Sequence, residues 1–135
     1  MIPVEQTRTG SLIGNCFAAC LASILEISIS SVPDFDADGN AFLRQVNDFL
    51  LPLDLFYIQV SPDNPTFPEV FRYGNVWHTI EGISERGGQH ACVGNAGELV
   101  FDPHPGGKGL VSVDVYGFLV ARFSGGPSLP NSNVL

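Results

Sequence analysis

Charge is scarce in this chain of 135 residues, and positive charge is scarcer still. Charged side chains make up 15%, with six Lys and Arg against 14 Asp and Glu. A net charge of −8 argues against nucleic-acid or anionic-membrane partners, because contacts to phosphate rest on clustered cations. No apolar run approaches the roughly 20 residues that a membrane-spanning helix needs. A basic segment followed by an apolar stretch and a cleavage site is also missing, so no secretory signal is expected. Three cysteines cannot all pair within one chain, which excludes a complete disulfide framework. Neither a P-loop nor a dinucleotide-binding glycine fingerprint occurs. Together these absences predict a soluble, cytoplasmic protein with reduced thiols and no cofactor.

Apolar material is ample by contrast. Hydrophobic residues reach 44% and include ten Phe, enough for the core of one domain but not two. The run Cys16 to Glu26 contains Ala and Leu and neither Gly nor Pro, which predicts a largely buried helix. Asn15 precedes it as a good N-cap type. Residues 32–40 read as an acidic loop that lacks the twelfth-position ligand of an EF-hand, since that count reaches Gln45. A second helix is expected over Ala41 to Leu51, with Pro52 ending it. Strands are expected at Leu55–Val60, Val76–Ile83, His90–Gly94, Glu98–Asp102 and Tyr116–Phe123. Helices followed by strands define an α+β domain with helices on an antiparallel sheet. That domain is expected over residues 1–123, with 124–135 as a loosely ordered tail.

Two distant segments carry the chemistry. In Gly14-Asn15-Cys16 a thiol stands where a helix begins, where unpaired N–H groups and the helix dipole favour a thiolate and can receive an oxyanion. Cys20, one turn deeper, is the poorer nucleophile. In Gln89-His90-Ala91-Cys92 and Phe101-Asp102-Pro103 an imidazole and a carboxylate flank a hairpin turn. A three-residue loop of Asn95, Ala96 and Gly97 would set His90 opposite Asp102, within reach of a contact. Cys16, His90 and Asp102 then form a nucleophile, a base and an orienting acid. His78 reads as a half-buried structural residue. His104, between prolines, is a candidate for substrate contact or simple exposure. His90, Cys92, Asp102 and His104 are also ligand types in a short span, but no metal-ligand spacing accompanies them and no metal is expected. Phe56, Tyr57, Phe71, Tyr73 and Trp77 read as core more readily than as cleft.

With those residues placed, the chain resembles the papain-like cysteine peptidases, and within them the bacteriocin-leader peptidases and short bacterial and phage proteins of that type. The resemblance rests on Gln6, Gly14-Asn15-Cys16 and its Ala-rich helix, Gln89-His90-Ala91-Cys92-Val93-Gly94, and Leu99-Val100-Phe101-Asp102-Pro103. It implies a papain-like fold, Cys16 as nucleophile, His90 as base, Asp102 as third member and Gln6 as donor to the oxyanion. It also implies cleavage of an amide, peptide or isopeptide bond in a protein or peptide substrate. Deamidation, acyl transfer and a non-catalytic protein-binding module are alternatives that the same fold supports.

Overall fold

A computed structural model describes residues 1–10, 14–35, 39–65, 69 and 71–122. It contains two α-helices, α1 (Cys16–Leu25) and α2 (Gly39–Leu50), and five strands. The strands are β1 (Leu55–Val60), β2 (Trp77–Ser84), β3 (Gln89–Asn95), β4 (Glu98–Phe101) and β5 (Leu110–Ala121). They form one antiparallel sheet in the order β1-β5-β2-β3-β4. The α+β class expected from the sequence is therefore present. The expected tail, 124–135, lies outside the described residues.

α1 ends where Glu26 adopts a left-handed conformation, with φ of 59°, and its N–H bonds the Ala22 carbonyl. Its apolar surface meets two partners. Ala18, Leu21 and Ala22 pack with Val46 and Leu50 of α2 and with Tyr57 of β1. Cys20 packs instead on Ala91 and Val93 of β3. Being apolar on both flanks, α1 packs on α2 and on β3, while α2 itself reaches the sheet at β1, where Tyr57 N–H donates to Asn47 Oδ1. Phe17 locks its first turn through edge-on contacts with Phe35, Phe42 and Tyr57, at centroid separations of 5.9, 4.9 and 5.3 Å. The residue after Cys16 is thus a core anchor.

α2 begins at Gly39 and is followed by a 3-10 turn over Leu51–Leu53 that accommodates Pro52. β5 is longer than the expected Tyr116–Phe123 strand. It starts at Leu110, and the alternating Val111-Ser112-Val113-Asp114-Val115 belongs to it. β5 pairs with both β1 and β2, which makes it the second strand of the sheet.

The β3–β4 hairpin corrects the expected register. Its loop has two residues, because Asn95 pairs with Glu98, and Ala96 and Gly97 both take positive φ, 51° and 86°. This is the primed geometry that matches strand twist. The left-handed Ala96 is unfavourable alone, but β2 holds the turn at both amides. Ala96 N–H donates to the Val76 carbonyl at 3.0 Å, and Gly97 N–H donates to His78 Nε2 at 3.0 Å. A register shift between Val93 and Gly94 then lets Val93 face Phe101. His90 and Asp102 are consequently not a directly opposed ladder pair. Leu99, beside the turn, is exposed.

Candidate functional site

Four segments converge at the N-terminus of α1. The lead-in, residues 1–8, runs beside the helix and is tied at both ends. Ile2 N–H donates to the Ser23 carbonyl at 3.0 Å, and Val4 N–H to Ser23 Oγ at 2.9 Å. Near the helix start, Gln6 N–H donates to the Pro103 carbonyl at 2.9 Å. Asn15 does not cap α1 with its side chain. Its Oδ1 accepts from the N–H groups of Thr7 and Arg8, both at 3.0 Å, and its Nδ2 donates to Thr7 Oγ1. The expected capping role is thereby replaced by a clamp on the lead-in. The first-turn N–H groups of α1 are left without a side-chain cap.

The clamp carries Gln6 to the site. Gln6 is only 7% exposed. Its Nε2 donates one hydrogen to the Arg8 carbonyl at 2.7 Å, which leaves the second. Its Oε1 is the one buried side-chain polar atom without a hydrogen-bond partner among the described residues. An orphaned buried acceptor costs free energy and is rare in structural roles.

His90 Nε2 and Asp102 Oδ1 are 2.7 Å apart, and their side chains are 6% and 4% exposed. β4 pairs only with Val93–Asn95, so the chain after it can turn back across the first half of β3 and bring Asp102 to His90 without a ladder pairing. The loop 102–109 is built around that carboxylate. His104 N–H donates to Oδ1 at 2.8 Å and Gly109 N–H to Oδ2 at 2.7 Å. Burial works against ionisation of Asp102, but the hydrogen bonds from His90, His104 and Gly109 outweigh it and hold the carboxyl below its usual range.

The thiols of Cys16 and Cys92 lie near enough to the His90 imidazole to act on its titration. Burial disfavours its charged form, yet the neighbouring Cys16 and Cys92 thiols and the hydrogen bond to Asp102 prevail and push it up to about 10. An NMR titration should therefore find His90 protonated through neutral pH, with its midpoint near 10. Asp102→Asn should bring that midpoint down toward the ordinary value of about 6.5; an unchanged midpoint would separate the two residues.

The three thiols differ in setting. Cys16 is half-buried, whereas Cys20 and Cys92 are buried. Burial pushes both Cys20 and Cys92 up from the usual thiol range, which makes them weak nucleophiles. His90, Cys92 and Asp102 each place a ligand atom within 4.8 Å of the others, and they are the one such group among the described residues. Nitrogen, sulfur and oxygen donors of this kind suit zinc.

Cys16, His90 and Gln6 line one cleft of about 1320 Å³. His104 lines it too; it is half-buried, with its Nδ1 accepting from Gly106 N–H at 2.8 Å. As expected, none of Phe56, Tyr57, Phe71 and Trp77 lines this cleft. Tyr57 is buried in the core, while Phe17, Phe35 and Phe42 form the cleft wall. His78 is fully buried rather than half-buried and lies against Phe71, Tyr116 and Phe118. Its Nε2 accepts from Gly97, so the ring is a neutral prop for the turn, and burial pushes it down from the usual histidine range. Sequence reasoning also missed Glu81, a carboxylate in the cleft wall; its place in the alternation of β2, at an inward position among apolar residues, was the available signal. No helix among the described residues is long and apolar enough to cross a membrane. No family model, characterised protein or solved structure matches the chain.

Proposed function

We propose that the chain is a papain-like thiol hydrolase that cleaves an amide, peptide or isopeptide bond through a thioester on Cys16. The observation that carries this reading is one imidazole, His90, hydrogen-bonded to the Asp102 carboxylate and lining the same cleft as the half-buried Cys16 thiol, which acts on its titration. Nucleophile, proton carrier and orienting acid are the parts this chemistry requires.

With Nε2 committed to Asp102, Nδ1 is the ring nitrogen that carries the transferable proton of the thiol–imidazole pair. The sulfur attacks the carbonyl carbon, the C–N bond breaks, and His90 delivers the proton to the departing amine. Water then hydrolyses the thioester, giving its proton to His90 and regenerating the thiol. The developing oxyanion has two donor sources nearby: the N–H groups at the start of α1, which carry no side-chain cap, and the second hydrogen of Gln6 Nε2. Asp102 keeps the ring oriented and its charged form stable. The same parts serve a deamidase or an acyltransferase if the acyl donor or acceptor differs.

Reaction with iodoacetamide followed by peptide mapping tests the proposal. Cys16 is expected to alkylate at least about tenfold faster than Cys20 or Cys92 near neutral pH. Cys16→Ala should abolish the fast labelling and Cys20→Ala should preserve it. Preferential alkylation at Cys20 or Cys92, or a Cys16 rate no greater than a free thiol's, overturns the assignment. A second reading, a zinc-binding centre, is favoured by the approach of His90, Cys92 and Asp102. Stoichiometric zinc in purified protein that chelator removes with loss of folding would support it instead.

A further inference from the structure

The thiol chemistry leaves the carboxylate of Glu81, in the cleft wall, unused. Glu81 lies on the sheet face that packs against α1. It pairs with Ala91, the residue after His90, and Ala91 packs on Cys20. Both groups that bond its carboxylate converge on a single oxygen. Tyr57 hydroxyl donates to Oε2 at 2.8 Å, and Gln59 Nε2 donates to the same atom at 3.2 Å. Thr79 Oγ1 lies 3.2 Å from the Tyr57 oxygen; because Tyr57 spends its hydrogen on Glu81, Thr79 donates to Tyr57.

This chain of donors occupies space that β5 provides. Gly117 pairs with Gln59 on one side and Thr79 on the other. A Cβ there would collide with Tyr57 Oη and Thr79 Oγ1. The missing side chain is the cradle in which the relay sits, and with both bonds on Oε2 the other carboxylate oxygen, Oε1, receives none from the described residues, while Glu81 lines the cleft. No Lys or Arg lies within ion-pair distance of Glu81 among the described residues, and Arg8, on the cleft rim, is paired with Asp34. Burial pushes the Glu81 carboxyl up despite the bonds from Tyr57 and Gln59. A carboxylate held this way gains most from a cationic donor. Phe17 and Phe42, in the same wall, suit the hydrocarbon stem of a long basic side chain.

We infer that Glu81 is the floor of a subsite that takes a lysine or arginine side chain of the substrate, an inference that rests on the reading of this cleft as a thiol-hydrolase site. Glu81 is a specificity-determining residue, and Tyr57, Gln59 and Gly117 position it.

The full chain carrying Cys16→Ala, titrated by NMR with three blocked tripeptides, tests the inference without turnover. The peptides are acetyl-Gly-X-Gly-amide with X as lysine, arginine or norleucine. The lysine and arginine peptides are expected to bind about tenfold more tightly than the norleucine peptide, with shifts at the Thr79 and Gly117 amides. Adding Glu81→Gln should erase the preference while the norleucine affinity stays. Equal affinities, no binding by any peptide, or a preference that survives Glu81→Gln overturns the subsite. Comparison of lysine with norleucine peptides stands even if the Glu81 variant fails to fold. Absence of the preference in the Cys16→Ala chain, with Cys16 of the unaltered chain reactive toward iodoacetamide, removes the subsite alone. A retained preference with an unreactive Cys16 removes the hydrolase reading and leaves a site for basic side chains.

Discussion

Asp102→Ala is expected to destabilise the fold by about 3–5 kcal/mol, as removal of one member of a buried charged pair does. Three donors lose their acceptor together: the His90 ring, His104 N–H and Gly109 N–H. Of these, the imidazole sits where water reaches poorly, with its side chain 6% exposed, so it bears most of the loss. The same substitution should also remove the roughly tenfold advantage of Cys16 in alkylation, because the imidazole loses the carboxylate that orients it. Chemical denaturation and the iodoacetamide rate measure the two effects separately. Asp102→Asn distinguishes structure from charge, since one amide oxygen can still accept from a loop N–H. It is expected to retain more stability than the Ala variant while still impairing reactivity. Equal stability of the Ala variant and the wild type would show that the loop 102–109 does not depend on the carboxylate.

Gly82→Ala is expected to cost about 3 kcal/mol or more, toward the upper end for overpacking a filled interior. Gly82 stands opposite His90 on β2, at the point where the pairing of β2 with β5 shifts register. A Cβ there would run into the Ser112 carbonyl and crowd Val113 Cα. Both obstacles are backbone, so no side-chain rotation relieves them. β5 must move away or β2 must bend, and either displacement passes directly to His90. A fall in melting temperature of about 10 °C is expected, together with a slower Cys16 labelling rate at temperatures where the variant remains folded. An unaltered melting temperature would mean that β5 does not approach Gly82 as closely as described. Gly87→Ala is a useful contrast, because a Cβ there meets nothing within 4 Å and only its positive φ of 94° opposes the change.

What the sequence disclosed, and what it concealed, follows from how local each determinant is. α1 was legible because Cys16–Leu25 is a continuous good helix former, and its burial followed from apolar residues on two flanks. β1 was recovered with its observed bounds, Leu55–Val60. The first half of β5 was overlooked although Val111, Val113 and Val115 alternate with Ser112 and Asp114. The valines at 111 and 113 face solvent, and an exposed strand carries no burial signal to confirm the period. The contact of His90 with Asp102 was anticipated from a three-residue loop that does not form. Its two-residue replacement depends on His78 and Val76, some 20 positions earlier, and no local rule could supply that. Asn15 was a sound N-cap by type, but its side chain finds better donors in Thr7 and Arg8. The Glu81 relay needs three strands and a glycine to be brought side by side, so only the folded sheet displays it.

The two buried histidines of this sheet respond to acid and alkali in opposite senses. His90 titrates above its ordinary value in the folded chain. Its contribution to stability is therefore complete below about pH 6.5 and declines as the pH rises toward 10. His78 titrates below its ordinary value. Its contribution is complete above about pH 6.5 and declines below it, as the unfolded chain takes up the proton first. One ring fastens the turn between β3 and β4, and the other fastens the far end of the same hairpin to the loop that begins at Asp102. Acid thus loosens the hairpin at its tip and alkali loosens it at its root, and both ends are held most firmly near pH 6.5.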